Sequence, residues 1–422
     1  MLIRTVLRLS SGTRLLPFLI GFIVIALRDN LSDWVTPHYW LSASGSASLA
    51  LTFVGPACAG AAAWEGSRVR RARISDQSAV RTPLAIALPL LLPVWAMGLI
   101  GMATALVVSA SAADVGIGVP HLGILAVEAV LLAANTLVGY LLGRLWAPVV
   151  AVPATLITSF LANAYPASWS ILWIRHLVGG GLSDCCSLDQ SLDGSAVLSA
   201  LAFGVAVCLA AAVLIHHGKT IPGLLAASLL ATGGFILGAA TAHGMGADPV
   251  TPRTAGALVC DHGRPRMCLW PEMDHQAGMI RAEGRDAADR LRAAGVMVPA
   301  TLTMADQPGR DEARLAIGAA PSAPDVRIGV AAGLIPQTPA CADHGVPYPA
   351  EVAYGPIGAW LSLTAGASPR TLTDRVTPSE LALAQRVREQ SRKTQLSWYK
   401  RNAEALRSCD ARPELSIDGS PA

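Results

Sequence analysis

Seven long apolar stretches alternate with short polar segments over the first 242 residues of the chain. Most of these stretches approach the ~20 apolar residues that a helix needs to cross roughly 30 Å of hydrocarbon. A folded soluble core does not need so many long apolar runs with so few internal charges, so the pattern predicts an α-helical polytopic membrane bundle of about seven spans. The predicted spans are Leu15–Leu27, Ser46–Ala63, Pro83–Ala110, Leu122–Leu142, Ala147–Ala164, Val197–Ile215 and Ile221–Ala242.

Basic residues are concentrated on one side of this bundle, mainly in the segment Glu65–Thr82, whereas the opposite side is rich in aspartate. Because short loops that are rich in lysine and arginine stay in the cytoplasm, the basic side is predicted to be cytoplasmic. Counting crossings from that segment places everything after Ala242 outside the cell membrane. The basic residues on the predicted cytoplasmic side are Arg4, Arg8, Arg14, Arg68, Arg70, Arg71, Arg73, Arg81, Arg144 and Lys219.

The chain is therefore expected to have four parts. Residues 1–14 are predicted to form an interfacial helix with a cytoplasmic N-terminus, because apolar residues alternate with arginines there. Residues 15–242 form the transmembrane domain, residues 243–410 an extracytoplasmic domain, and residues 411–422 a flexible tail.

Beyond Ala242 the hydropathy falls, and short strand and helix patterns predict a small α/β or α+β domain. Basic and acidic residues balance from His243 onward, so this domain has no nucleic-acid signature. Thr377, followed by Pro378 and Glu380, predicts the start of a helix that runs toward Cys409. The other predicted elements are strands at Arg266–Trp270, Ala300–Met304 and Ala313–Ile317 and helices at Glu272–Ala294 and Ala350–Ala365.

The cysteines agree with this orientation, because none of the 8 lies in a predicted cytoplasmic loop. An oxidising outer compartment permits disulfides. Cys260 and Cys268 are separated by a short segment that contains glycine and proline, so we predict that they pair. Cys341 and Cys409 then pair by elimination. The adjacent residues Cys185 and Cys186 bridge each other or pair between chains.

Two polar residues, Glu128 and Asn135, lie two helical turns apart in the fourth predicted span. A charged carboxylate inside a bilayer is costly, so such residues often mark a transport pathway. The alternative is a structural hydrogen bond between helices.

The outer loop Asn163–Ser195 contains an apolar run, Trp169–Val178, that is too short to span a bilayer. Its tryptophans favour an interfacial or re-entrant helix at headgroup depth. A structured loop that lies on the bilayer is the alternative.

In the C-terminal domain, Glu272 and His275 are three residues apart at a helix start and are weak candidates for zinc ligands. Ordinary helix initiation, with acids at the positive end of the helix dipole, explains the same segment. The sequence contains no GxxxxGK[ST], GxSxG or HExxH motif, so we expect no catalytic residues and no cofactor.

The order of elements resembles the permease subunit of type 2 ABC exporters, and the matching segments are Met1–Arg14, Trp64–Arg81 and Ala167–Gly181. The resemblance implies a cytoplasmic ABC ATPase as partner and a homo- or heterodimer of permeases. It also implies a coupling loop and contacts with membrane lipid. The residues expected in the coupling loop are Trp64, Glu65, Arg68, Arg70 and Arg71.

A seventh span and the C-terminal domain depart from that family. The segments Cys268–Glu272 and Trp398–Cys409 resemble tails of permease-like proteins from actinobacteria. The leading hypothesis is a permease that moves an unknown substrate. The alternatives are a non-transporting membrane sensor or binding protein that uses its ectodomain and, in third place, a membrane-tethered hydrolase.

Overall fold

The computed structural model describes residues 10–28, 35–73, 81–339, 341 and 348–417, and most of them are helical. The chain divides into two compact units, Met1–Thr251 and Pro252–Ala422. The predicted interfacial helix falls mostly on residues 1–9, which lie outside the described ranges.

All seven predicted spans are helices in the first unit. Six helices are long and apolar enough to cross a membrane, counting Trp40–Arg71 as one, whereas Pro148–Ala164 has only 17 residues. The helices are α1 Ser11–Arg28, α2 Trp40–Ala47, α3 Leu51–Arg71, α4 Pro83–Ala112, α5 Leu122–Leu145, α6 Pro148–Ala164, α7 Ile174–Leu177, α8 Gly194–His217 and α9 Ile221–Ala242. Two short strands, β1 Gln190–Leu192 and β2 Val250–Pro252, pair with each other.

Polar side chains fix the start of several of these helices. Thr82, Thr220 and Asp193 each accept a hydrogen bond from a backbone amide in the first turn of α4, α9 and α8, respectively. Such caps satisfy amides that have no partner within the helix. The apolar runs therefore begin at capped residues that the sequence supplies.

The long helices alternate in direction along the chain. Helices α3 and α5 are parallel, because Ala59 meets Gly139 and Ala63 meets Gly143. The α3–α6 pair is antiparallel, since Gly55 lies against Asn163 and Gly60 against Leu156.

The remaining pairs complete the alternation. Helix α1 is parallel to α4, since Gly12 lies against Pro93 and Ile23 against Gly101. In α8, Ile215 accepts a hydrogen bond from Arg144 near the end of α5, so these two helices are also parallel. Gly238 of α9 lies against Ser199 near the start of α8, which makes that pair antiparallel. The start of α1 and the end of α9 therefore lie at opposite ends of the bundle.

Two expectations about loops are wrong. The segment that begins at Glu65 is not a loop, because α3 continues to Arg71; residues 74–80 lie outside the described part. The run Trp169–Val178 forms only the four-residue helix α7, because the backbone turns at Gly179 and Gly181, where φ is positive. The alternative of a structured loop fits this segment better.

The second unit is built on a four-stranded sheet with the order β3-β4-β5-β6. Strands β3 and β4 are antiparallel, whereas β4, β5 and β6 are parallel. The strands are β3 Val259–Cys260, β4 Arg266–Leu269, β5 Thr301–Thr303 and β6 Glu312–Arg314, and the helices are α10 Ala277–Ala293, α11 Ala323–Ala332, α12 Tyr354–Thr364, α13 Pro369–Leu372, α14 Pro378–Arg388 and α15 Arg392–Ala405.

The strands predicted at Arg266–Trp270 and Ala300–Met304 are confirmed as β4 and β5, whereas the one predicted at Ala313–Ile317 is shorter and begins at Glu312, and β3 was not predicted. The helix prediction also needs changes. Thr377 and Glu380 form a reciprocal capping box at the start of α14, as expected from the sequence. The single helix predicted from Pro378 is two helices, because Ser391 caps a new start. Helix α11 was not predicted.

Candidate functional site

The carboxyl group of Glu128 lies in the interior of the first unit. Its residue is only 3% exposed, and its Oε1 atom has no hydrogen-bond partner among the described residues. Helix α5 is otherwise apolar over most of its length, so the residues next to Glu128 in the sequence offer its carboxyl no polar side chain. A buried polar atom without a partner is costly and therefore unusual.

Asn135 belongs to a separate polar cluster. Its side-chain oxygen accepts hydrogen bonds from the Ser159 hydroxyl at 2.6 Å and from the Asn163 amide at 3.4 Å, both on α6. Its amide nitrogen donates to the carbonyl of Leu131 at 2.8 Å. The cluster links α5 to α6, which is the structural role that the sequence left open for such residues.

Helices α3 and α5 approach each other closely along small residues. A methyl group at Gly139 or Gly143 would collide with the backbone carbonyl of Ala59 or Ala63, respectively. Gly139 and Gly143 form a GxxxG pair, a pattern that lets transmembrane helices pack backbone to backbone. The sequence analysis missed this motif, although its spacing is readable.

The predicted coupling residues do not form one surface. Glu65 is 2% exposed. Its carboxylate accepts a hydrogen bond from the backbone amide of Ser11 at 2.8 Å and pairs with Arg68 at 2.9 Å. This side chain therefore holds α1 against α3, and its expected part in coupling stays a prediction.

The other four residues of that set separate around α3. Arg70 is exposed and donates to the last carbonyl of α5, that of Leu145, at 3.2 Å. Trp64, Arg68 and Arg71 instead line a cleft of about 790 Å³ between α1, α3 and α6. Only the cleft group forms a concave site.

The cysteines of the second unit lie where the predicted pairing requires. Cys260 and Cys268 face each other across β3 and β4, with Cα atoms 4.0 Å apart, and are at disulfide distance. Cys341 and Cys409 are also at disulfide distance, with Cα atoms 6.1 Å apart. In the first unit, Cys185 lies at disulfide distance from Cys186, so the intrachain alternative fits this pair.

The weak metal candidates have other partners. The Glu272 carboxylate receives two hydrogen bonds from Arg253, at 2.9 and 2.8 Å, and Arg253 also lies over the Trp270 ring. His275 lies against the backbone carbonyl of Glu272. Among the residues described, no group of three or more histidines, cysteines, aspartates or glutamates is placed to hold a metal ion. Glu272 and His275 therefore belong to a helix start, and Glu272 forms a bidentate ion pair with Arg253.

Asp261 organises the turn between β3 and β4. Its carboxylate accepts hydrogen bonds from the amides of Gly263 and Met267 and pairs with Arg285 and Arg281. Partial burial acts to raise the pKa of Asp261, but the two amides and Arg285 outweigh it and hold that pKa below its usual value.

A second concave site lies in the C-terminal unit. It is a cleft of about 540 Å³ beside β6, and its lining includes Asp306, Arg310 and Arg314. Arg314 and Asp306 form an ion pair at 3.2 Å. The mixed charges suit a small polar ligand, which is consistent with a binding role for this unit.

Comparison with known proteins gives one match, and it concerns the second unit. Residues 267–409 match a family described as a domain of unknown function, DUF7224. No curated protein matches the chain, and no solved structure matches it either.

Proposed function

We propose that the chain is the membrane-embedded subunit of a transporter, a permease of ABC-exporter type that depends on a separate cytoplasmic ATPase. The observation that carries this proposal is the Glu128 carboxyl, which is buried and without a hydrogen-bond partner on its Oε1 atom. A protein retains such a group inside a membrane bundle mainly where it meets a substrate, an ion or a proton.

The direction of the helices supports the proposed topology. An odd number of alternating crossings puts the two ends of the bundle on opposite sides, as the division of arginine and aspartate also requires. The proposal places the start of α1 in the cytoplasm and the C-terminal unit outside the cell membrane.

The partner would meet the exposed end of α3. Arg70 is available there, whereas Glu65 is enclosed. The ATPase would therefore bind the cytoplasmic end of the bundle without contacting the buried carboxylate that fixes α1.

The test uses a P-loop ATPase encoded beside this chain and the purified chain in lipid nanodiscs. Glu128→Gln keeps the size of the side chain and removes its charge. We expect it to bind the ATPase like the parent and to lose most of the stimulation of ATP turnover. Thr136→Val is the matched control, because Thr136 is buried on the same helix and its hydroxyl bonds only within α5. Equal stimulation by parent and Glu128→Gln would overturn the role of Glu128, and failure of any such ATPase to bind would overturn the partnership.

A sensor or binding protein is the second candidate, and the cleft lined by Asp306, Arg310 and Arg314 favours it. A small ligand that raises the melting temperature of the parent but not of Arg310→Ala would support this function. A regulator encoded beside the chain, in place of an ATPase, would point the same way.

A further inference from the structure

The cleft between α1, α3 and α6 combines an apolar wall with a cationic rim. Leu15, Ala57, Val152 and Leu156 contribute to the wall. Leu15 and Leu156 are also exposed on the outer surface of the bundle, so the wall continues onto the face that a bilayer would cover. An acyl chain could enter such a cleft from the side.

The rim of the cleft carries an uncompensated positive charge. Arg14, Arg68 and Arg71 line it, and the lining residues include no acid. Arg68 is neutralised by Glu65 at 2.9 Å. Within the described part of the chain, no carboxylate pairs with Arg14 or Arg71. Two guanidinium groups therefore remain to bind an anion.

Two contacts hold this rim in place. The Arg71 guanidinium lies over the Trp64 ring, 5.3 Å from its centre, which restricts it by a cation–π interaction. Glu65 bonds the first amide of α1, which holds the start of α1 against α3 and keeps Arg14 in the lining of the cleft. Contacts with Trp64 and Glu65 thus restrict the positions of these arginines.

We propose that this cleft binds one anionic glycerophospholipid, with its phosphate at Arg14 and Arg71 and an acyl chain along Leu15 and Leu156. Arginine suits this ligand because its planar donor group matches phosphate oxygens. A glycerophospholipid is favoured over a free phosphate because the cleft pairs its arginines with an apolar wall that includes Leu15 and Leu156, both exposed on the outer surface of the bundle. The inference requires membrane insertion only and is independent of the permease proposal.

Another cleft at the same end of the bundle allows a comparison of how strongly two cationic rims should retain lipid. It lies between α5, α8 and α9, has a volume of about 580 Å³, and includes Arg144 and Lys219. Arg144 donates to the carbonyl of Ile215, so this rim has one guanidinium that is already engaged. We expect weaker retention of anionic lipid there.

The experiment is native mass spectrometry of the full chain, released from nanodiscs of phosphatidylglycerol or phosphatidylcholine. The parent should retain one phosphatidylglycerol and no phosphatidylcholine at matched activation. Arg14→Gln with Arg71→Gln should weaken retention about 30-fold, the factor expected for two cationic side chains near an anionic headgroup. Arg73→Gln with Arg81→Gln removes the same charge from exposed positions outside the cleft and should leave retention unchanged.

Further arms separate the sources of the anion and a folding defect. Inorganic phosphate at millimolar concentration should not displace the lipid; displacement would show a free-anion site and overturn the proposal. Arg14→Lys with Arg71→Lys keeps the charges and should restore part of the retention. An equal loss of lipid retention in both glutamine pairs would show that general surface charge, and not the cleft, binds the lipid, and would overturn the proposal. If the cleft pair lowers ATPase binding but leaves lipid retention intact, the occupant is a partner segment and the lipid assignment is wrong.

Discussion

The two units differ in whether their large apolar side chains are exposed on the surface or buried in the core. In the first unit Phe18 and Leu229 are 77% and 73% exposed, and alanine, glycine and serine make many of the contacts between helices, beside buried side chains such as Met97 and Leu132. In the second unit Trp270, Trp360 and Trp398 are almost completely buried. The two units of one chain therefore differ in which side chains they expose on their surfaces.

The difference is the one expected if the first unit lies in lipid, as proposed, and the second in water. In water, burial of aromatic side chains drives folding, and each one removes a large apolar area. In lipid, a leucine gains little by leaving the acyl chains, so helices associate through close backbone packing and polar contacts. The tryptophan core of the second unit is an example of the first kind of packing. The small-residue contact of α3 with α5 is an example of the second kind.

The largest effect is expected at the tryptophan core. Trp398 packs against Trp360 with ring centres 6.3 Å apart and donates to the carbonyl of Leu415. Trp398→Ala should lower the stability of the second unit by about 3–5 kcal/mol, because it leaves a large cavity. Pulse proteolysis of the full chain in urea, followed with a C-terminal tag, measures this loss.

Leu229→Ala is the matched control for that substitution. Its side chain faces outward, so we expect a change below about 1 kcal/mol in a bilayer. A loss as large as that of Trp398→Ala would show that this face of α9 is buried against protein and would break the comparison.

The cysteine pairs should stabilise the second unit to different extents. Cys341 and Cys409 are separated by 68 residues, whereas the separation of Cys260 from Cys268 is 8. Because a longer closed loop restricts the unfolded chain more, Cys409→Ala should cost about 4 kcal/mol and Cys260→Ala about 2.5 kcal/mol. Denaturation of the two variants under oxidising conditions tests the order. Peptide mapping that finds Cys260 and Cys268 as free thiols in the parent would refute their pairing.

The close contact of α3 with α5 should tolerate no added methyl group. Gly143→Ala would press against the Ala63 carbonyl and should lower bundle stability by about 1–3 kcal/mol. Gly21→Ala on α1 is the control, because nothing lies within 4 Å of the added atom. Thermal unfolding in nanodiscs compares them. If Gly143→Ala melts like Gly21→Ala, the two helices are not in backbone contact.

The smallest effect concerns acid. The pKa of Asp261 is lower in the folded unit than its ordinary value of 3.8. The stabilisation is therefore complete above that value and is lost as the pH falls through the lower folded pKa. Asp261→Asn should flatten the fall in melting temperature of the second unit below about pH 4. Identical pH profiles for the variant and the parent would remove this role.

The sequence was sufficient for the long apolar helices and for most strands of the second unit, because periodicity and capping are local; β3, only two residues long, was missed. Local pattern also identified Thr377 as a cap. It could not show that α3 continues past Glu65, because the same basic residues suit a helix end and a loop. The Glu65 contact with Ser11 joins residues 54 positions apart, so no local rule identifies it.

The same limit applies to the candidate sites. Glu128 stood out in the sequence because it is an acid in an apolar run, whereas the cleft needed three helices to bring Arg14 and Arg71 into one lining. The GxxxG pair was readable and was missed. Helix α11 was missed because its apolar face is short, although Ser322 and Asp325 form a capping box before it.

The central claim is that the bundle places the second unit on the side opposite to the start of α1. Cysteine accessibility in intact cells tests it directly, with Met297→Cys, 89% exposed in the second unit, and Lys219→Cys between α8 and α9. A membrane-impermeant maleimide should label Met297→Cys at once and Lys219→Cys only after permeabilisation. Labelling of both from outside, or protection of Met297→Cys with labelling of Lys219→Cys, would contradict the account.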